Sequence, residues 1–289
     1  MNYALDALWW KLTDPAVRDL AALLTAPPLW HSGAELPVRE LLGEHGFRYL
    51  LQLDQAPQIL HQHLSAHAPF AHRLGLYAEQ LLAFWFANAP HTRLLAHNLP
   101  VRTADALTLG AADFIATVNG KPYHIELACK YYGSPSGRTD DFCGLNRQDC
   151  LRDKAAKLPQ QMMLLKFSDG LHTLKTHSLP ENPQPASVIR GIAFLPADTP
   201  AAEAPLNPLA WQGRYLSDWA QYPAHDYPAA RYALLERMAY LAPARLPESR
   251  TFTASELSHI RSGLVAVLEQ RPDGHWHEIL RLMKTEPDA

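Results

Sequence analysis

The chain has 289 residues, 47% of them apolar, enough for one large domain or two modest ones with a real core. Its formal charge of −3 excludes a global basic field, so any nucleic-acid contact must come from a local patch. No apolar run is long enough to cross a bilayer. The opening MNYALDALWWKLTD lacks the basic start of a signal peptide. Cys129, Cys143 and Cys150 are odd in number and irregular in spacing, which suggests neither a disulfide framework nor a cysteine zinc site; free thiols fit a reducing cytoplasm.

Residues 1–70 read as a helical region packing on a core. DPAVRDLAALL has helical apolar spacing, with Asp14 as N-cap and Pro15 in the first turn. PVRELLGEHGFRYLLQL and PQILHQHLS are further helices. His61, His63, His67 and His72 cluster, but no Cys or carboxylate completes a zinc pattern, so surface histidines are preferred. HRLGLYAEQLLAFWFAN (72–88) is apolar on all sides from Leu74 to Phe86 and reads as a buried helix, interrupted by Glu79 and Gln80. A charge there costs several kcal/mol, so Glu79 either meets a buried Arg or Lys or is a site carboxylate.

TRLLAHNLPV reads as a strand, followed by a long hairpin. After the GSPSG loop, a helix is expected from about Arg147, bent or split by Pro159. SVIRGIAFLP (187–196) reads as a buried strand between proline-rich connections that run from Pro180 to Pro208. In the C-terminal extension, 197–289, WQGRYLSDW reads as a strand and RYALLERMAYL as a helix. LVAVLEQRPDGHWHEILRLM reads as a second hairpin turning at Asp273-Gly274, which either extends the central sheet or forms a small lobe.

The first hairpin, DFIATVNGKPYHIELACK, carries the chemistry. A two-residue Asn119-Gly120 turn pairs Val118 with Lys121 and Thr117 with Pro122, and outward counting sets Asp113 opposite Glu126. Strand alternation puts Phe114, Ala116, Val118, Tyr123, Ile125, Leu127 and Cys129 on a core face. Asp113, Ile115, Thr117, His124, Glu126, Ala128 and Lys130 share the other. Opposed carboxylates repel, and they persist where a proton or a cation lies between them. A hard cation such as Mg²⁺ takes such oxygens, and a lysine on the same face can orient water or offset charge on a phosphate. A solvated polar face is the alternative. The apolar helix 72–88 and the strand 187–195 both argue for a sheet covered by helices.

The order of helix with Glu79, strand, hairpin with Asp113, Glu126 and Lys130, helix and strand resembles the restriction-endonuclease-like PD-(D/E)xK nuclease core. More narrowly, DPAVRDLAALLTAPPL, LGAADF, YHIELACKYYG and GLNRQDCLRDKAAKLPQQ resemble family 1853 of the bacterial domains of unknown function, which has been placed in that superfamily. The resemblance implies an α/β (α+β) fold with a central mixed sheet flanked by helices, its α-β-β-β-α-β core at 71–196. It also implies a Mg²⁺ or Mn²⁺ site. Asp113, Glu126 and Lys130 correspond to the catalytic acids and lysine, and Glu79 to the glutamate that supports the metal. Lys154 and Gln161 correspond to polar positions along a substrate path; an exposed helix flank is the other reading. Two departures stand out. The usual acid and lysine are two residues apart, about 6.7 Å, whereas Glu126 and Lys130 are four apart, about 13 Å. Ala111 also stands where many relatives carry a second acid. The site is therefore rearranged or degenerate.

Three functions follow. The preferred one is a cytoplasmic Mg²⁺-dependent nuclease cutting DNA or RNA, with Arg138, Arg147, Arg152, Lys154 and Lys157 receiving the phosphate backbone. Asp140, Asp141, Asp149 and Asp153 interrupt that patch. The second is a catalytically inactive protein of the same fold that binds nucleic acid or a protein partner. A cysteine hydrolase ranks last, because no nucleophile signature surrounds any cysteine.

Overall fold

A computed structural model describes residues 11–197, 199 and 204–286; the segment 1–10, read above as lacking a signal peptide, lies outside the described residues. Helix α1 (Pro15–Thr25) starts as its cap predicts: the Val17 N–H donates to Asp14 Oδ1 at 3.1 Å, and Pro15 occupies the first turn. Helices α2 (Val38–Leu42), α3 (Gly46–Gln55) and α4 (Gln58–His67) follow, then α5 (Leu74–Asn88), whose residues Leu81 to Phe86 are all buried. Strands β1 (Thr92–Arg102), β2 (Thr108–Val118) and β3 (Lys121–Gly133) come next, then α6 (Leu151–Met162), α7 (Ser168–Thr176) and β4 (Gln184–Leu195). The chain continues through β5 (Trp211–Leu216), β6 (Arg231–Leu234), β7 (Arg245–Leu246), β8 (Gly263–Gln270) and β9 (Trp276–Lys284).

These strands form one mixed sheet in the order β1-β2-β3-β4-β5-β9-β8-β6, with β7 also on β9. β1, β2 and β3 are antiparallel, β3, β4, β5 and β9 parallel, and β9, β8 and β6 antiparallel. The C-terminal hairpin, β8 and β9, thus extends the central sheet. Asn119 and Gly120 both adopt positive φ, +50° and +77°, and Val118 pairs with Lys121 and Thr117 with Pro122, as the two-residue turn requires.

Helices cover both faces. Phe114, Ala116, Val118 and Ile125 join α1 and α5 in one core. On the opposite face, Ala128 and Tyr132 pack with Leu151, Leu158 and Met162 of α6, and Ile115 packs with Leu174 of α7. The charged face of β3 therefore lies under a helix and not in water. Gly191 makes the β3–β4 pairing possible at Lys130: its φ is +143°, and an added Cβ would meet the Lys130 carbonyl oxygen at 1.6 Å.

Several expectations are corrected. RYALLERMAYL is not a helix: Arg231–Leu234 pairs with β8, and a short 3₁₀ turn, Arg237–Ala239, follows. Helix α6 starts at Leu151 and not at Arg147, and the sequence reading contains no counterpart of α7. Cys143 and Cys150 are joined in a disulfide, leaving Cys129 free. Cys143 forms backbone bridges to Gly133 and to Cys150, which fold the loop onto itself and bring the thiols together. The argument from free thiols to a reducing compartment loses its support. Among the described residues no helix is long and apolar enough to cross a membrane.

Candidate active site at the β2–β3 fork

The β2–β3 ladder runs from Val118 and Lys121 to Phe114 and Ile125, where its regular pairs end. One residue further, Asp113 takes the next backbone partner on its side chain: the Leu127 N–H donates to its Oδ2 at 2.8 Å. Beyond this point β2 continues beside β1 and β3 beside β4, so the sheet forks at Asp113 and Glu126. A fork is where acidic side chains can meet within a covered sheet without competing for ladder hydrogen bonds.

Glu126 is 1% exposed and so is its partner His124, whose Nε2 lies 2.9 Å from Oε1. The other ring nitrogen, Nδ1, lies 3.1 Å from the Met162 carbonyl of α6. A carbonyl only accepts, so Nδ1 carries a proton. The Nε2–Oε1 contact then holds one more proton, giving either imidazolium and carboxylate or neutral imidazole and carboxylic acid.

Burial, then the neighbouring Glu126, push Asp113 up to about 6; the Leu127 N–H, Lys154 and His124 pull the other way. Glu79 enters from α5. Burial, then Asp113 and Glu126, push it up to about 7. Among the described residues no Arg or Lys pairs with it. Its Oε2 lies 3.9 Å from Nε2 of His97, a ring stacked on Phe114 at 5.0 Å. That nitrogen is buried with no hydrogen-bond partner among the described residues. Burial and acidic neighbours thus disfavour ionisation of Asp113 and of Glu79, and among the described residues Glu79 is not the half of a buried salt bridge with Arg or Lys that one reading expected.

The two lysines differ. Lys130, expected to serve the reaction directly, is gripped by both oxygens of Asp149 at 2.7 and 2.8 Å, and Asp149 also accepts the Tyr132 hydroxyl at 2.9 Å. Lys154 donates to Gln161 Oε1 at 3.0 Å across two turns of α6. Burial and then Lys130 push Lys154 down, while Asp113 and Glu126 pull it up. Lys154 therefore shares the electrostatic field of the acids. Arg138, Arg147, Arg152 and Lys157 are exposed; Arg152 stands 3.6 Å from Asp153.

A cleft of about 240 Å³ is lined by Lys130, Asp149, Lys154, Arg237 and Tyr240 among others, and by Leu127 and Ala128 next to Glu126, though not by Asp113, Glu126 or Glu79 themselves. A larger hollow of about 520 Å³, around Arg214, Tyr222 and Asp226, contains none of the acids. Of the four clustered histidines, His61 contacts Asp14 at 2.9 Å, while His63 and His67, their rings 4.6 Å apart, contact the Gln80 and His63 carbonyls. Among the described residues no three His, Cys, Asp or Glu groups gather closely enough to hold a metal ion. The oxygen-only donors at the fork fit a hard cation held by one or two carboxylates and completed by water or phosphate. They do not fit a closed cage of three ligands.

His97, His124 and Asp149 are the members of the site that sequence reading left without a role. For His124 the signal was present: it sits two residues before Glu126, on the same face of the strand. A family model described as Domain of unknown function (DUF1853) matches residues 18–283. No curated protein and no solved structure matches.

Proposed function

The chain belongs to the DUF1853 family, and from the chemistry of the fork we propose that it is a Mg²⁺- or Mn²⁺-dependent nuclease with a restriction-endonuclease-like core. The observation that carries this reading is the cluster of Asp113, Glu126 and Glu79 inside a covered sheet, where burial and the neighbouring acids hold Asp113 and Glu79 above the ordinary carboxylate range. Structural acids in such a place are ordinarily neutralised by a guanidinium or an ammonium; among the described residues none forms an ion pair with Asp113 or Glu79, and Glu126 is met by His124.

In this reading Asp113 and Glu126 hold the divalent ion and Glu79 supports it. When bound, such an ion lowers the pKa of water and offsets charge on a phosphate. Lys154 faces the scissile phosphate and stabilises the negative charge that develops there. Its half-buried position makes that charge effective, and Gln161 fixes its direction. Lys130, held by Asp149, acts as a positioning residue for the cleft wall. His124 fixes the proton between itself and Glu126.

A second reading, a member that binds nucleic acid without cutting, draws on the same Lys130–Asp149 and His124–Glu126 contacts, which occupy groups that catalysis would use. Cleavage of labelled DNA and RNA with millimolar Mg²⁺ or Mn²⁺ separates the two. The nuclease reading expects metal-dependent products that disappear in Lys154→Ala and persist in Lys130→Ala. Binding without products, under every metal condition, selects the second.

A further inference from the structure

The cleft beside the fork has a construction that bears on which nucleic acid it receives. Besides the Lys130–Asp149 pair, its lining includes two cations, Lys154 and the exposed Arg237, and the aromatic Tyr240; Leu264 and Met283, also in the lining, are buried. Tyr240 is held in place before any ligand arrives. Its carbonyl accepts from the Tyr131 hydroxyl at 2.8 Å and from Arg281 Nη1 at 2.5 Å, and its ring meets Tyr131 edge-on at 5.2 Å. Arg281 is in turn locked to Glu278 at 2.6 Å in a buried pair, and Asp19 accepts the Ala242 N–H at 3.0 Å. A fixed aromatic ring binds a flat partner with little loss of conformational freedom.

An aromatic ring, two cations and about 240 Å³ of space suit a single nucleobase with its phosphate. A paired base enters a pocket of this size only after unpairing and leaving its stack, at a cost of a few kcal/mol, so a base that is already unpaired is favoured. We propose that the cleft seats one unpaired nucleotide, its base against Tyr240 and its phosphate between Arg237 and Lys154. The nucleic acid handled at the fork is therefore single-stranded. This inference rests on the nuclease reading for its biological sense, but binding needs neither metal nor cleavage.

The test is fluorescence anisotropy in EDTA with two probes, a fluorescein-labelled oligothymidylate and a blunt duplex of matched length. The single strand is expected to bind at least about ten-fold tighter than the duplex. Arg237→Ala and Tyr240→Ala are each expected to weaken it by about five-fold or more. Arg237 is exposed, so its variant preserves the fold and keeps the test decisive even where Tyr240→Ala disturbs packing. Equal or tighter duplex binding, or an Arg237→Ala protein indistinguishable from wild type, overturns the inference. Metal-dependent cutting of duplex without strand preference would overturn it and leave the nuclease reading intact. Single-strand binding without cutting would do the reverse.

Discussion

Replacing Asp113 by Asn should stabilise the protein at alkaline pH. The amide keeps an oxygen to accept the Leu127 N–H, so the local hydrogen bond survives while the charge is removed. Burial and Glu126 move the Asp113 carboxyl from 3.8 to about 6. At about 1.4 kcal/mol per pH unit, this corresponds to about 3 kcal/mol of native-state penalty once the group is ionised. The sign follows from proton counting. Between pH 3.8 and about 6 the native protein holds a proton that the unfolded chain has lost, so stability falls as pH rises through this window and stays low above it. Urea unfolding in EDTA should find Asp113→Asn more stable than wild type by about 2–3 kcal/mol at pH 8, with the gap below about 1 kcal/mol at pH 4. Adding Mg²⁺ should narrow the gap at pH 8 by stabilising wild type alone. A variant no more stable than wild type at pH 8 without metal would mean that the charge is already compensated within the chain, and the reasoning from a strained acidic cluster would be refuted.

Other outcomes follow from the same geometry. His124→Ala leaves Glu126 buried without its partner and should cost about 3–5 kcal/mol by chemical unfolding at pH 7. Gly191→Ala drives a methyl into the Lys130 carbonyl and should lower stability by more than about 3 kcal/mol, read as a large drop in melting temperature. Reducing the Cys143–Cys150 bond, whose partners are seven residues apart, should cost about 2–3 kcal/mol. Melting with and without dithiothreitol checks this, and a Cys143→Ser protein should not respond to the reductant.

Local chemistry explains what was legible in the sequence. Asp14-Pro15 announced α1, and Asn119-Gly120 fixed the hairpin register on which the placement of Asp113 and Glu126 depends. The apolar run of α5, interrupted only at Glu79 and Gln80, and the β4 strand together implied a covered sheet, and covered it is. What escaped was decided by distant partners. Arg231–Leu234 has helical spacing but lies along β8, and that pairing overrides propensity. Cys143 and Cys150 meet because Cys143 bridges to Gly133, a contact that spacing does not encode. Asp149 looked like an acid diluting a basic patch; the fold turns it onto Lys130 and Tyr132. The ladder's end at Phe114 also had no local cue, so Asp113 was expected in a regular pair and instead caps the fork.

The central claim is that Asp113 and Glu126 share one divalent cation. Calorimetric titration of the metal-free protein with Mn²⁺ tests it most directly. The account predicts one saturable site per chain at micromolar to millimolar concentration, lost in both Asp113→Asn and Glu126→Gln. Heats of simple dilution up to several millimolar Mn²⁺, or binding that survives both substitutions, would contradict it.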